Sequence, residues 1–180
     1  MNIPVTNSSL DVAYWFIHKA KQENIYLETE KLQHLLFLAQ SRYALERQGK
    51  MLMPCLFLCD DDGFYEPTLK KIFAHGRPVV QSAQLAVDVA EFLEEIWQDF
   101  KGLSIAQIRH IIIQKPIYTK CRKQGINTVA AWNYFIDKSN ECGRISTSQV
   151  SAARDFVKKV LVSQNGPVVV SKWMPRKINN

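Results

Sequence analysis

The stretch EKLQHLLFLAQSRYALERQG, residues 30–49, constrains the fold more than any other part of the chain. Leu32, Leu35, Leu36, Ala39 and Tyr43 follow the i, i+3, i+4, i+7, i+11 spacing of one helix face, and Phe37, Leu38 and Ala44 widen the stripe beyond what one neighbour covers. A helix of this kind must be touched on several sides. It therefore predicts a mostly α domain built around it, and 180 residues suit one such core. Thr29 is placed to cap the helix and Glu30 to favour its N-terminal dipole, while Gly49 fits the C′ position.

The neighbouring segments supply what would surround it. Leu10–Glu23 reads as a largely buried first helix, with Ser8 or Ser9 as N-cap and Asn24 as its end. MLMPCLFLC, with Pro54 inside it, reads as an edge strand or extended segment, and DDDGFYEP as a turn through Gly63. TLKKIFAHG forms a short helix closed by Gly76, and residues 83–100 a long amphipathic one. Ser104 and Gln107 make a capping box for a helix that ends before Pro116, which opens another ending at Gly125. Asn127 is expected to cap a helix through Asp137, and Ser146 with Gln149 a last one through about Val162. The expected architecture is mostly α with a small β element: one helical domain over 1–165, about six to eight helices, a short strand or hairpin after helix 2, and a basic tail at 166–180 that is extended or partly ordered.

Charge is distributed unevenly. Residues 1–100 carry 9 Lys+Arg against 14 Asp+Glu, whereas residues 101–180 carry 14 against 3. An acidic partner, nucleic acid included, would suit the second half, and attraction between the two halves would account for the same pattern. No apolar run reaches the roughly 18 residues of a membrane span, and the N-terminus lacks a basic region ahead of an apolar stretch. A cytoplasmic protein with no membrane partner is expected. Cys55, Cys59, Cys121 and Cys142 lie in or beside apolar segments and read as reduced structural thiols.

Motifs for chemistry are sparse. Cys55-x₃-Cys59 has no second pair to complete a zinc site, and Asp60, Asp61 and Asp62 lack the spread of a calcium loop, so a solvated turn is expected there. His18, His34 and His110 fall within predicted helices, and nothing local sets a cysteine beside a histidine. With no Gly-rich phosphate loop and no nucleophile elbow, neither an enzyme nor a cofactor is expected. Tyr65, Tyr118, Arg122, Lys123 and Trp173, on loops or short helices, are the candidate partner-binding residues.

The order of elements resembles the Panacea domain of bacterial and phage antitoxins, which includes SocA-like and phage-associated GepA-like proteins. The likeness is carried by Lys31, Leu32, Gln33, Leu35, Leu36, Ala39, Gln40 and Tyr43, in register with that family's K-L-Q-x-L-L-x-x-A-Q-x-x-Y helix, and by Gly63, Pro67, Leu69, Phe73 and Gly76 in the next block. Phe64 stands where the family has proline, and Ile113, Lys115 and Tyr118 or their neighbours replace its His-Glu-Trp group. The resemblance implies a divergent antitoxin that binds a cognate toxin protein directly, with some relatives acting as adaptors for an ATP-dependent protease. The alternative is a basic nucleic-acid-binding or other regulatory protein of phage or mobile-element origin. Gln33 and Gln40, two turns apart on one face, are expected to fasten the loop around Gly63.

Overall fold

The computed structural model describes residues 3–76, 84–136, 159–163 and 166–170. At its centre is the helix that the apolar stripe predicts: α2 (Thr29–Glu46) buries thirteen of its eighteen residues, including every one from Lys31 to Ser41. Burial on all sides requires neighbours on all sides. These are α1 (Ser9–Gln22), α3 (Pro67–Phe73), α4 (Val87–Phe100), α5 (Ile105–Ile113), α7 (Trp132–Ile136) and the strand β2 (Gly63–Tyr65). The remaining elements are β1 (Leu58–Asp60), α6 (Pro116–Gln124), β3 (Thr128–Val129), β4 (Lys159–Ser163) and β5 (Gly166–Val170). The architecture is mostly α with a small antiparallel sheet in the order β2-β1-β3. No helix among the described residues is long and apolar enough to cross a membrane.

Local chemistry sets most helix ends. Ser8 accepts from Leu10 N–H to start α1, and Asn24 ends it in the left-handed region at φ 56°, with Ile25 N–H closing back on the Ala20 carbonyl at 2.8 Å. The Ser104–Gln107 capping box is present in both directions. Pro67 and Pro116 occupy first-turn positions, and Gly125 follows α6 at φ 120°. Two ends shift from expectation. Thr29 lies inside α2 because Leu32 N–H already bonds the Glu28 carbonyl, so Glu28 is the N-cap. At the other end Gln48, at φ 53°, takes the left-handed position, and Gly49 follows it to close on the Ala44 carbonyl.

Charged pairs tie the layers together. Arg42 of α2 reaches Glu46 and, across the interface, Glu95 and Asp99 of α4, at 2.7–2.9 Å. Lys19 of α1 meets Glu94 at 2.8 Å, and Lys101 meets Glu23 at 2.9 Å. The pairs between Lys101 and Glu23, and between Arg109 or Arg122 and the acids of residues 60–62, join the basic half of the sequence to the acidic half. Attraction between the halves thus accounts for part of the uneven charge.

The extended segments depart most from the sequence reading. Of the apolar run only Leu58 and Cys59 pair as strand, within β1. Ahead of it, Leu52 and Met53 are fully buried but lie outside the sheet, held by Thr6 N–H and Oγ1 on the Leu52 carbonyl and by Gln40 Oε1 on Met53 N–H. Pro54 interrupts any longer ladder there. Asn127 is not a helix cap: at φ 61° it turns the chain into β3, whose Thr128 and Val129 pair with Cys59 and Leu58, so α7 begins only at Trp132. The helix expected over 146–162 is replaced at Lys159–Ser163 by a strand paired with Gly166–Val170. The valine-rich runs of these two segments favour strand over a helix end. Residues 146–158 lie outside the described residues, and Gly166–Val170 is the β-type run expected in the tail.

Candidate functional site: the acidic hairpin

The β1–β2 hairpin is fastened by hydrogen bonds and ion pairs from several other elements. Asp60 pairs with Gly63 across a turn of Asp61 and Asp62, and Asp60 Oδ1 accepts from Asp62 N–H at 3.0 Å. Gly63 has φ +129°, and a Cβ there would lie 3.3 Å from His34 Nε2 and 3.5 Å from Ile112 Cγ2. Glycine is thus required by conformation, and a side chain there would also crowd His34. Beside it Phe64, 2% exposed, stacks on Phe37 at 4.1 Å between ring centroids and 10° between planes, and meets Tyr118 edge-on at 6.0 Å. Phe64 is therefore a core side chain.

Helix α2 reaches this hairpin through two polar side chains. The buried Gln33 amide spans the backbone of Glu66, accepting from its N–H at 2.8 Å and donating to its carbonyl at 3.4 Å. Glu66 in turn accepts from Leu69 N–H at 2.6 Å and starts α3. His34, also buried, sets Nδ1 2.8 Å from the Glu30 carbonyl and Nε2 3.0 Å from the Asp62 carbonyl. Gln33 thus holds the end of the Gly63 strand. Gln40 does not: its Oε1 accepts from Met53 N–H at 3.2 Å and fastens the segment before β1 instead. The two glutamines share a helix face, but the chain crosses that face twice.

Each aspartate of the turn faces a base from a later element. Asp60 lies 3.6 Å from Lys70, Asp61 pairs with Arg122, and Asp62 pairs with Arg109, which also approaches Glu30 at 3.7 Å. Tyr118 donates its hydroxyl to the Asp60 and Asp61 carbonyls at 3.0 and 3.3 Å, and burial pushes its pKa up. Tyr65 donates to Asn127 Oδ1 at 2.8 Å, with Lys70 Nζ 4.0 Å from its ring centroid. Exposed ion pairs contribute only about 0–1 kcal/mol each, so the buried Gln33 amide and the Phe64 ring dominate the hairpin's stability.

The structure brings Tyr65, Tyr118 and Arg122 together on this hairpin and engages the polar atoms of all three internally. Lys123 is exposed on the last turn of α6, and Trp173 lies outside the described residues. Of the motif positions, Leu32, Leu35, Leu36, Ala39 and Tyr43 are core, and Lys31, Gln33 and Gln40 clamp backbone. Arg109, on which no expectation fell, and Asn127, expected only as a helix cap, complete the site, because each acts on a residue about 50–60 positions away.

A cleft of about 260 Å³ separates the hairpin from the start of α2, with His34 and Phe64 in its wall and Glu30, Asp60, Asp62 and Lys70 around it. Among the described residues no group of three His, Cys, Asp or Glu side chains could hold a metal ion. Cys55, Cys59 and Cys121 are free thiols. Burial pushes the Cys59 pKa up to about 12 and raises those of Cys55 and Cys121 as well. In the native protein at pH 8, Cys59 is therefore expected to react with iodoacetamide on the order of 10³-fold more slowly than an ordinary thiol. Pulsed alkylation read by peptide mass spectrometry checks this, and equal labelling of native and unfolded chains at Cys59 would contradict it.

No family model matches the chain, and no curated protein or solved structure is found to be similar to it. The fold and site define a mostly helical protein that presents an acid-rich hairpin, tied by hydrogen bonds and ion pairs, on a buried central helix.

Proposed function

We propose that the protein is an antitoxin-like binding protein that neutralises a cognate toxin by direct contact. The observation that carries this reading is that four of the eight large apolar side chains exposed among the described residues fall on adjoining segments, the others being Ile3, Val5, Tyr26 and Val87. Leu56, Ile126, Val129 and Ile136 are 44–59% exposed, and all four come from the segment entering β1 and from the stretch of β3 and α7 that follows α6. Exposed apolar residues scattered singly are ordinary, whereas several on adjoining segments favour a protein interface. The stiffness of the neighbouring hairpin supports the same reading, since a surface already held in place loses little freedom on binding.

A buried interface of about 1,200–2,000 Å² would be enough for occlusion of a toxin. Arg109 and Arg122 are engaged with carboxylates, so under the nucleic-acid alternative neither could meet a phosphate without giving up an ion pair. The test is co-expression of the small open reading frame adjacent to this gene, alone and with this chain. Growth arrest by the neighbour alone, relieved by this protein and accompanied by co-purification of the pair, is the expected result. A neighbour that is harmless alone removes the reading. The protease-adaptor form of the proposal adds one expectation: the toxin's half-life should fall when this chain is present.

A further inference from the structure

A small cavity of about 150 Å³ opens in the same face, between α2, the segment before β1, and the passage from β3 into α7. Phe57, Trp132 and Phe135 give it aromatic walls, and Trp132 stacks on Phe135 at 5.4 Å and 26°. No charged residue lines it. Two of its lining residues hold buried nitrogen donors with no acceptor among the described residues, Gln40 Nε2 and Trp132 Nε1. The Gln40 amide cannot turn over to remedy this, because its oxygen is held by Met53 N–H. Gln40 is 1% exposed, so the unmet donor sits at full depth.

Unmet buried donors are rare and carry a cost of about 1–3 kcal/mol each. Both donors belong to residues that line this one apolar cavity, and an acceptor oxygen delivered on an apolar body is the group that would meet them. The volume narrows the choice: sites for free small-molecule ligands span about 300–1,000 Å³, while an apolar cavity of about 150 Å³ takes a single benzene-sized group. Leu56 and Val129, 46% and 44% exposed, also line the cavity and extend the apolar surface outward from it. That is the form of a hot-spot pocket, in which one aromatic anchor enters and its surroundings exclude water.

We propose that this cavity is the anchor point for a partner polypeptide and receives one tyrosine side chain, whose ring fills the aromatic walls and whose phenol oxygen accepts from Gln40 and Trp132. The inference rests on the protein-binding reading above and names the residue type that reading leaves open.

The probe is p-cresol, the tyrosine side chain as a free molecule, titrated into the ¹⁵N-labelled full chain, with toluene as the analogue lacking oxygen. p-Cresol is expected to move the Trp132 indole N–H and the Gln40 side-chain amide resonances saturably, and toluene to bind about tenfold more weakly, the worth of roughly 1.4 kcal/mol of hydrogen bonding. The exposed Ala131 also lines the cavity, and Ala131→Leu should abolish both responses while leaving the fold intact by its amide spectrum. No response at Trp132, or an undiminished one in the leucine variant, overturns the proposal. In co-purification, Ala131→Leu should weaken capture of the toxin at least tenfold. Equal capture by both chains rejects the cavity as the anchor and leaves toxin binding standing, whereas a harmless neighbour rejects toxin binding and leaves the cresol titration to decide the cavity.

Discussion

Phe64→Ala is expected to destabilise the protein by about 3–5 kcal/mol, the range for deleting a fully buried aromatic ring. Phe64 packs between Phe37 of α2 and Tyr118 of α6, so its loss removes the one ring that joins the hairpin to both helices. Phe64→Leu keeps most of the volume and should cost less than about 2 kcal/mol. Urea denaturation followed by far-UV circular dichroism separates the two. An alanine variant within 1 kcal/mol of the parent would show that the hairpin is held by its ion pairs instead, against the small worth such pairs have at a surface.

The position of Phe64 also shows what a sequence can and cannot announce. The helix it packs against was legible, because a stripe covering most of a helix states its own burial. So were the ends of α1, α5 and α6, where Ser8 with Leu10, Ser104 with Gln107, and Gly125 place cause and effect within three residues. The hairpin turn was legible in Gly63 and the aspartates, but not its fastening. Arg109 lies 47 residues from Asp62, and Tyr65 lies 62 from Asn127. Pairings at that range depend on where the intervening helices deliver the chain, and no local pattern encodes them. Asn127 illustrates the ambiguity, since the residue type that caps helices also tolerates the left-handed turn it adopts here. The division of labour between Gln33 and Gln40 was hidden for a further reason. Residues 53 and 66 both pass over the same helix face, and periodicity fixes the face without naming the strand that crosses it.

Lys31 joins Gln33, His34 and Gln40 as a polar residue of that helix buried against backbone, and it carries the larger consequence because it is charged. Its ammonium donates to the Lys101 and Leu103 carbonyls at 2.8 and 2.6 Å, where α4 ends and the chain turns toward α5. Only 8% of the residue is exposed, and burial pushes its pKa down. Hydrogen bonds from a charged donor contribute about 1.5–3 kcal/mol each, and removing a buried ammonium returns part of what its desolvation costs. Lys31→Met, which keeps the stem and loses both bonds, is therefore expected to destabilise by about 2–3 kcal/mol. The damage should also be local in a way that distinguishes it from Gln33→Leu. Hydrogen exchange should accelerate at Leu103 and in the first turn of α5 in the lysine variant, and at Glu66 and the first turn of α3 in the glutamine variant. If both variants loosen the same amides, or if the lysine variant is as stable as the parent, α2 is not a spine with separate clamps but only a packed cylinder, and its polar residues owe their burial to their neighbours alone.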